Sequence, residues 1–282
     1  MRRTAVFLSL FLVGALTIVA AALAASSGGA GGATAPISLY PDLRTVVPQH
    51  LNLVNEHKRD LLRFANGIAN TGGGPWGMRP DPPLEAATDV TTAIQEIRSN
   101  SAFYRCGEQP KQATTCHEVL QEFPTSRFEF HAAHNHWHMG DVALFEVRKG
   151  SPTGPVVGGN SIKTTFCLID VYKLEGNSPT SERLFFDCYK GHQGISSGWV
   201  DQYHQATSGQ EVDLTGLPNG TDYYLVSTVN AEGVFHEQNH TNNTAWVRFA
   251  LSQSSNGNRK VTVTGNSPCA TPGLCGANSA NR

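Results

Sequence analysis

From Arg127 onward the chain is a succession of short runs rich in branched and aromatic residues, each closed by a turn signal. The runs are RFEFHAAHNHWH, VALFEVRK, SIKTTFCLIDV, RLFFDCY, EVDLTGLPNGTDYYLVSTVN and TAWVRFAL, and Leu217-Pro218-Asn219-Gly220 is one such turn. Branched and aromatic side chains suit a pleated, half-buried surface, whereas helices need longer uninterrupted periods. With 28 glycines and 15 prolines in 282 residues, turns should be many and helices few. The expected fold class is mainly β, a single β-sandwich-like domain over residues 38–252 with long loops and little helix. LLRFANGIANTGGGPW reads as a strand entering a glycine turn. Residues 84–122 are the most irregular part, with one short helix expected over residues 91–97. The tail, residues 253–282, is rich in Ser, Asn and Gly and is expected to be loose.

The N-terminus opens with Arg2 and Arg3, continues as an apolar run and reaches Ala22-Leu23-Ala24, the pattern of a cleavable signal peptide over residues 1–24. An uncleaved membrane anchor is the competing reading of that run. Residues 25–37 have almost nothing to bury and read as a flexible linker. Export implies a secreted, extracellular protein in an oxidising compartment, and the six cysteines fit one. Cys106 with Cys116 and Cys269 with Cys275 bracket short polar loops. Cys167 and Cys188 each end an apolar run and are expected to pair across adjacent strands. No CxxC spacing occurs, which disfavours zinc knuckles and thioredoxin chemistry. A net charge of -2 leaves no basic footprint for nucleic acid.

Within FHAAHNHWHMGD, four of the chain's 11 histidines fall inside eight positions. His134, His136 and His138 alternate, so in a strand they share one face. Neutral imidazoles gathered there suit copper or zinc. A flat strand would spread them over about 13 Å at about 3.3 Å per residue, so the segment must curl for one ion. His131 falls outside the alternation and is expected to stand apart. Lys163, Thr165 and Cys167 share another strand parity, which turns Lys163 inward if Cys167 is buried. A buried lysine has to be neutralised, paired or covalently consumed. Tyr203 lies in a polar stretch and alone reads as an ordinary amphipathic tyrosine.

Together these segments resemble the catalytic domain of the lysyl oxidases. That family orders WxWHxxHxHYH, GHKASFCLED, QGxxxGCxDxY and ESDYxNN along its chain. Here FEFHAAHNHWH, NSIKTTFCLID, HQGISSGWVDQY and EQNHTNN follow in the same order with similar gaps. The likeness covers residues 41–247 apart from an insertion around residues 84–122.

The resemblance implies Cu(II) on His134, His136 and His138, and a lysine tyrosylquinone crosslink formed from Lys163 and Tyr203. It implies a copper-dependent amine oxidase that takes primary amines and oxygen to aldehydes, hydrogen peroxide and ammonia. Lysine side chains of extracellular proteins are one candidate substrate. Asp201, His192 and His204 are base candidates by proximity to the matched segment. The resemblance also implies calcium held by Asp42, Glu237, Asn239, Asn242 and Asn243, oxygen donors that suit Ca²⁺. Where the family has cysteines, this chain has Ala133, Trp199 and Gly209, which loosens the expected constraint on the loop holding Tyr203. Two other readings stand beside the oxidase. One is a secreted metal- and calcium-binding β-sandwich adhesion module without catalysis. The other is a zinc hydrolase, which lacks a convincing glutamate base beside the histidines.

Overall fold

The computed structural model describes residues 35–99, 119–132, 134–157, 162–176, 183–189, 191–269 and 271–276, with Ile162, Lys163 and Thr164 given by strand position alone. The signal-like segment, most of the linker and the expected Cys106–Cys116 pair lie outside the described residues. From Pro36 onward the chain forms one compact unit.

Its first strands are β1 (Ser38–Leu39), β2 (Leu43–Thr45), β3 (Gln49–Glu56), β4 (Arg59–Asn70) and β5 (Trp76–Asp81). β6 (Val90–Ser99), β7 (Val119–His131), β8 (His136–Lys149), β9 (Ile162–Phe166) and β10 (Tyr172–Lys173) follow. β11 (Gln193–Ile195), β12 (Trp199–Tyr203), β13 (Glu211–Asp213), β14 (Gly220–Val229), β15 (Thr244–Gln253) and β16 (Arg259–Asn266) complete the order. Two short 3₁₀ turns, Leu84–Ala86 and Pro272–Cys275, are the only helical pieces among the described residues. The mainly-β expectation holds.

The strands form two antiparallel sheets. The larger has ten strands in the order β11-β5-β6-β7-β8-β14-β15-β16, with β1 on β6 and β9 on β8. The smaller has six, in the order β10-β12-β4-β13, with β2 and β3 also on β4. Alternation decides which side chains enter the core. On β15, Ala245, Val247, Phe249 and Leu251 are buried while Trp246, Arg248 and Ala250 are less so. Leu62, Phe64 and Ile68 of β4 share one apolar cluster with Phe128, Phe145, Leu225 and Phe249 of the larger sheet. Phe64 and Phe145 meet edge to face, centroids 4.9 Å apart, and tie the two sheets.

Two expectations fail. Residues 91–97 lie in β6, not in a helix, because β5 and β7 flank them with complete ladders and the run is rich in branched residues. The described part of the tail is not loose either. β16 alternates Val and Thr and pairs along β15 from Gln253↔Arg259 to Val247↔Asn266. Beyond it, Cys269 and Cys275 close a disulfide. The other expected pair, Cys167–Cys188, is also formed.

The turn after β4 needs glycine for space. A Cβ on Gly74 would stand 2.1 Å from the carbonyl oxygen of Leu39, so only hydrogen lets the segment before Asp42 pass over the turn.

Phe145→Ala should empty a fully buried position between the sheets and destabilise the protein by about 3–5 kcal/mol, read as a lower urea midpoint with an unchanged slope.

Candidate metal centre

The histidine segment is a hairpin end, not one strand. His131 closes β7 opposite His136 of β8, and residues between them turn the chain. The amides of His134 and Asn135 both donate to the His131 carbonyl at 2.9 Å. Asn135 takes φ 56°, the left-handed region that asparagine enters more easily than most residues. This turn supplies the curl the spacing requires. It returns His134 over the strand, while His136 and His138 stay on one face of β8.

The rings converge. His138 Nε2 lies 3.0 Å from His136 Nε2 and 3.3 Å from His134 Nδ1. Two nitrogens held about 2.0–2.1 Å from one ion at near-tetrahedral or square angles stand about 3 Å apart, so this donor set fits a transition metal. His131, expected to stand apart, is inside the cluster. Its ring stacks on His138 with centroids 4.8 Å apart, and its nitrogens fall within 4.8 Å of those of His134 and His138. The hairpin is the reason, since cross-strand pairing sets His131 against His136 where single-strand parity would exclude it. The buried Nδ1 of His131 has no partner among the described residues.

Two of the rings, His136 and His138, are held neutral. Burial, reinforced by neighbouring His136, His131 and His134, holds His138 down at about 3. Burial and then His134 lower His136. Neutral imidazoles keep the lone pair a metal needs. His138 Nδ1 lies 3.0 Å from Thr165 Oγ1 on β9. Donation of Nδ1–H to that hydroxyl fixes the ring and leaves Nε2 facing the other histidines. Thr165 was not among the site residues read from sequence, although its parity with Lys163 was the available signal. Tyr189, 63% exposed and edge-on to His136 at 5.7 Å, was also missed.

Tyr203 ends β12 opposite Asn66 of β4. Its hydroxyl accepts from the Cys167 amide at 2.7 Å and donates to the Cys167 carbonyl at 3.2 Å. Its ring stands edge-on to Phe166, centroids 4.5 Å apart. Burial pushes the phenol well above its ordinary range, and Asp201 adds to the push whenever it is ionised. Lys163 pairs with Leu144 of β8, two residues before Thr165; its side chain lies outside the described residues. One short strand therefore carries Lys163, the hydroxyl on His138 and, one residue past its end, the backbone that grips Tyr203. Buried Gln193 adds a brace, donating to the Trp137 carbonyl at 2.7 Å and accepting from the Leu168 amide at 3.1 Å.

The three base candidates separate. His192 is drawn to Glu96 at 3.5 Å, and His204 Nδ1 accepts from the Ala206 amide at an exposed turn. Asp201 is buried.

The residues expected to hold calcium fall into two pairs and an outlier. Asn242 donates to both Asp42 oxygens at 3.0 and 3.2 Å. Glu237 accepts from Asn243 at 2.7 Å, Asn230 at 2.6 Å and the Leu43 amide at 2.9 Å. Asn239 instead accepts from the amide and hydroxyl of Thr241 in a local turn. The buried amide oxygens of Asn242 and Asn243 have no partner among the described residues.

Against known proteins, the lysyl oxidase family profile matches residues 85–261. The chain belongs to the lysyl oxidase family. The match holds every histidine and tyrosine discussed above, while Asp42 precedes it. Protein-lysine 6-oxidase of Sus scrofa is 28% identical over 127 residues, 45% of this chain and 48% of that protein. Lysyl oxidase homolog 1 of Homo sapiens is 28% identical over 45% of this chain and 21% of its own length. Lysyl oxidase homolog 2 of Bos taurus is 31% identical over 40% of this chain and 14% of its own length. The chain thus spans half or less of these relatives. Membership supports a lysyl-oxidase-type function, and the family's cofactors are copper and lysine tyrosylquinone.

Thr165→Val should weaken copper binding about 10–100-fold in competition with a chelator, with the β-sheet circular dichroism unchanged. His138→Ala should weaken it further.

Proposed function

We propose that this family member is a secreted copper-dependent amine oxidase that deaminates primary amines, with Lys163 and Tyr203 as the precursors of its quinone. The observation that carries this reading is the linkage of the two halves of the site through β9. Thr165 touches His138, and Cys167 two residues later holds the Tyr203 hydroxyl by both its backbone groups. Lys163 stands two residues before Thr165 with the same strand parity. A metal-binding module without catalysis has no need for a phenol fixed at the end of that strand.

His134, His136 and His138 would hold the copper, and His131 is a further imidazole within reach. Copper there, with oxygen, supplies the oxidation of a phenol to a quinone, and the quinone supplies the carbonyl with which a primary amine condenses. The chain's own part is positional. The hairpin fixes the imidazoles, Thr165 sets the His138 ring, and Phe166 and Cys167 fix the tyrosine. A raised phenol pKa keeps Tyr203 protonated, with its hydroxyl donating to the Cys167 carbonyl. The products are an aldehyde, ammonia and hydrogen peroxide.

Export is supported by the signal-like N-terminus and by two disulfides. Described residues include no helix long and apolar enough to cross a membrane. We also propose a calcium ion at Asp42, Glu237, Asn242 and Asn243, on the strength of the two unpartnered amide oxygens. Asn239 is left out of that set because its oxygen serves its own turn. Millimolar calcium should then raise the thermal midpoint, and Glu237→Gln should remove that increment.

Tyr203→Phe should leave copper stoichiometry intact while abolishing the visible quinone absorbance, phenylhydrazine trapping and peroxide release from primary amines. Peptide mapping of the wild type should find the segments of Lys163 and Tyr203 joined. Fully copper-loaded wild type with no chromophore, no joined peptide and no peroxide would overturn the reading in favour of a binding module.

A further inference from the structure

Behind Tyr203 lies a pair of enclosed carboxyl groups that the amine-oxidase reading has not yet used. Asp170 is 0% exposed and Asp201 2% exposed. They come from different elements, Asp170 from the chain after β9 and Asp201 from the middle of β12. Asp201 lies within the field of Asp170, and two such charges in one dry place do not both persist.

Hydrogen bonds decide which group is ionised. Asp170 Oδ1 accepts the Ser196 amide at 2.7 Å. Its Oδ2 accepts the Leu184 amide at 2.9 Å, the Phe185 amide at 3.1 Å and the Ser196 hydroxyl at 2.6 Å. Four donors describe a carboxylate. Asp201 has the opposite surroundings: it accepts from the Gln202 amide, and its buried Oδ2 has no partner among the described residues. A carboxyl in that position keeps its proton. Burial pushes Asp201 well above the usual carboxylate range, and the charge of Asp170 adds to the push. Burial also raises Asp170, but its donors hold it to about 6.

Asp201 stands two residues before Tyr203 on β12, hence on the same side of the strand. Its charge, when present, acts on the Tyr203 phenol. Among the described residues, Arg44 of β2 lies across β4, opposite Ala69, while Asp201 is opposite Ile68. On β10, Lys173 reaches out over Trp199, and Tyr172 opposes Val200. On β4, Asp60 and Arg63 lie at the far end, paired with Arg259, Glu56 and Glu211.

We propose that Asp201 is the acid–base group serving the Tyr203 centre, and that Asp170 is a positioning residue whose fixed charge keeps the proton on Asp201. The proposal rests on the amine-oxidase reading and names its proton carrier. With the quinone in place, Asp201 would be the chain's proton carrier: as the neutral acid it would supply one of the two protons of the water lost on condensation, the amine supplying the other, and as the carboxylate it would take up the proton from the carbon bearing the nitrogen. The electrons of that carbon–hydrogen bond would go to the quinone and from it to oxygen.

The first test reads the proton without any turnover. Infrared difference spectra of the copper-free protein at neutral pH should contain the carbonyl stretch of a buried neutral carboxylic acid, absent in Asp201→Asn. In Asp170→Asn the band should persist at low pH but titrate away at lower pH than in the wild type. A band unchanged by Asp201→Asn, or one that titrates identically without Asp170, overturns the proposal.

Stability supplies a second readout. The folded pKa of Asp201 is raised, so folding takes up a proton. Its favourable contribution is present below about pH 4 and is lost as pH rises towards the folded value. Asp201→Asn should therefore gain stability over the wild type as pH rises from 4 to 8; a constant difference counts against the proposal. In copper-loaded enzyme Asp201→Asn should lose about 10²–10⁴-fold in kcat with KM for the amine little changed and the chromophore formed. Wild type without a chromophore would overturn the oxidase reading and the acid–base role with it, while the infrared band still reports whether the carboxyl pair exists.

Discussion

The Cys167 backbone is where the separate requirements of this fold meet. Its sulfur is bonded to Cys188, its amide and carbonyl together hold the Tyr203 hydroxyl, and the strand that ends just before it carries Thr165 to His138. The disulfide also fixes the segment after Cys188, whose carbonyl accepts the Trp137 amide at 3.4 Å between two of the clustered histidines. Strand β9 is only five residues long and has one neighbour in the larger sheet, so its register depends on contacts at its end. Losing the grip at Cys167 would free β9 to shift. A shift of one residue turns Thr165 away from His138.

A second constraint is electrostatic. Four imidazoles gathered at one hairpin repel one another when protonated, and burial of His138 makes its charge costlier still. The fold answers with neutrality where Glu96, in the same interior, is answered with charge. Burial would raise Glu96, but His192 and Arg98 outweigh it and hold the carboxylate at about 2. The contrast has a use. Arg98 and His192 hold a structural corner, whereas His136 and His138, kept neutral, retain lone pairs that suit a metal.

Legibility in the sequence followed how local each feature is. Most strands from Arg127 onward, the disulfide between Cys167 and Cys188 and the gathering of histidines are written in short runs and are readable there; RLFFDCY is the exception, its described residues forming no strand. β6 was misread because a stretch such as VTTAIQEIRS has helix-compatible residues, and only its neighbours β5 and β7 decide for strand. β16 was missed because Ser, Asn and Gly flank a brief Val-Thr alternation that a composition count dilutes. His131 was misplaced by applying strand parity across a turn that the spacing alone did not reveal. Thr165, Gln193 and the carboxyl pair act through partners 26 to 56 residues away, and no local pattern encodes such distances.

The last strand has a consequence beyond its place in the ladder. β16 covers the open side of β15, whose inward residues Ala245, Val247, Phe249 and Leu251 form a long regular apolar strand. Unshielded, such an edge is a template onto which another chain can add. β16 substitutes an outer border that begins with Arg259 and Lys260 and is held near its end by the Cys269–Cys275 loop. The C-terminal residues thus act as a selvedge for the larger sheet. A chain cut short before Arg259 would keep every histidine and the tyrosine in its sequence, yet leave folding in competition with self-association.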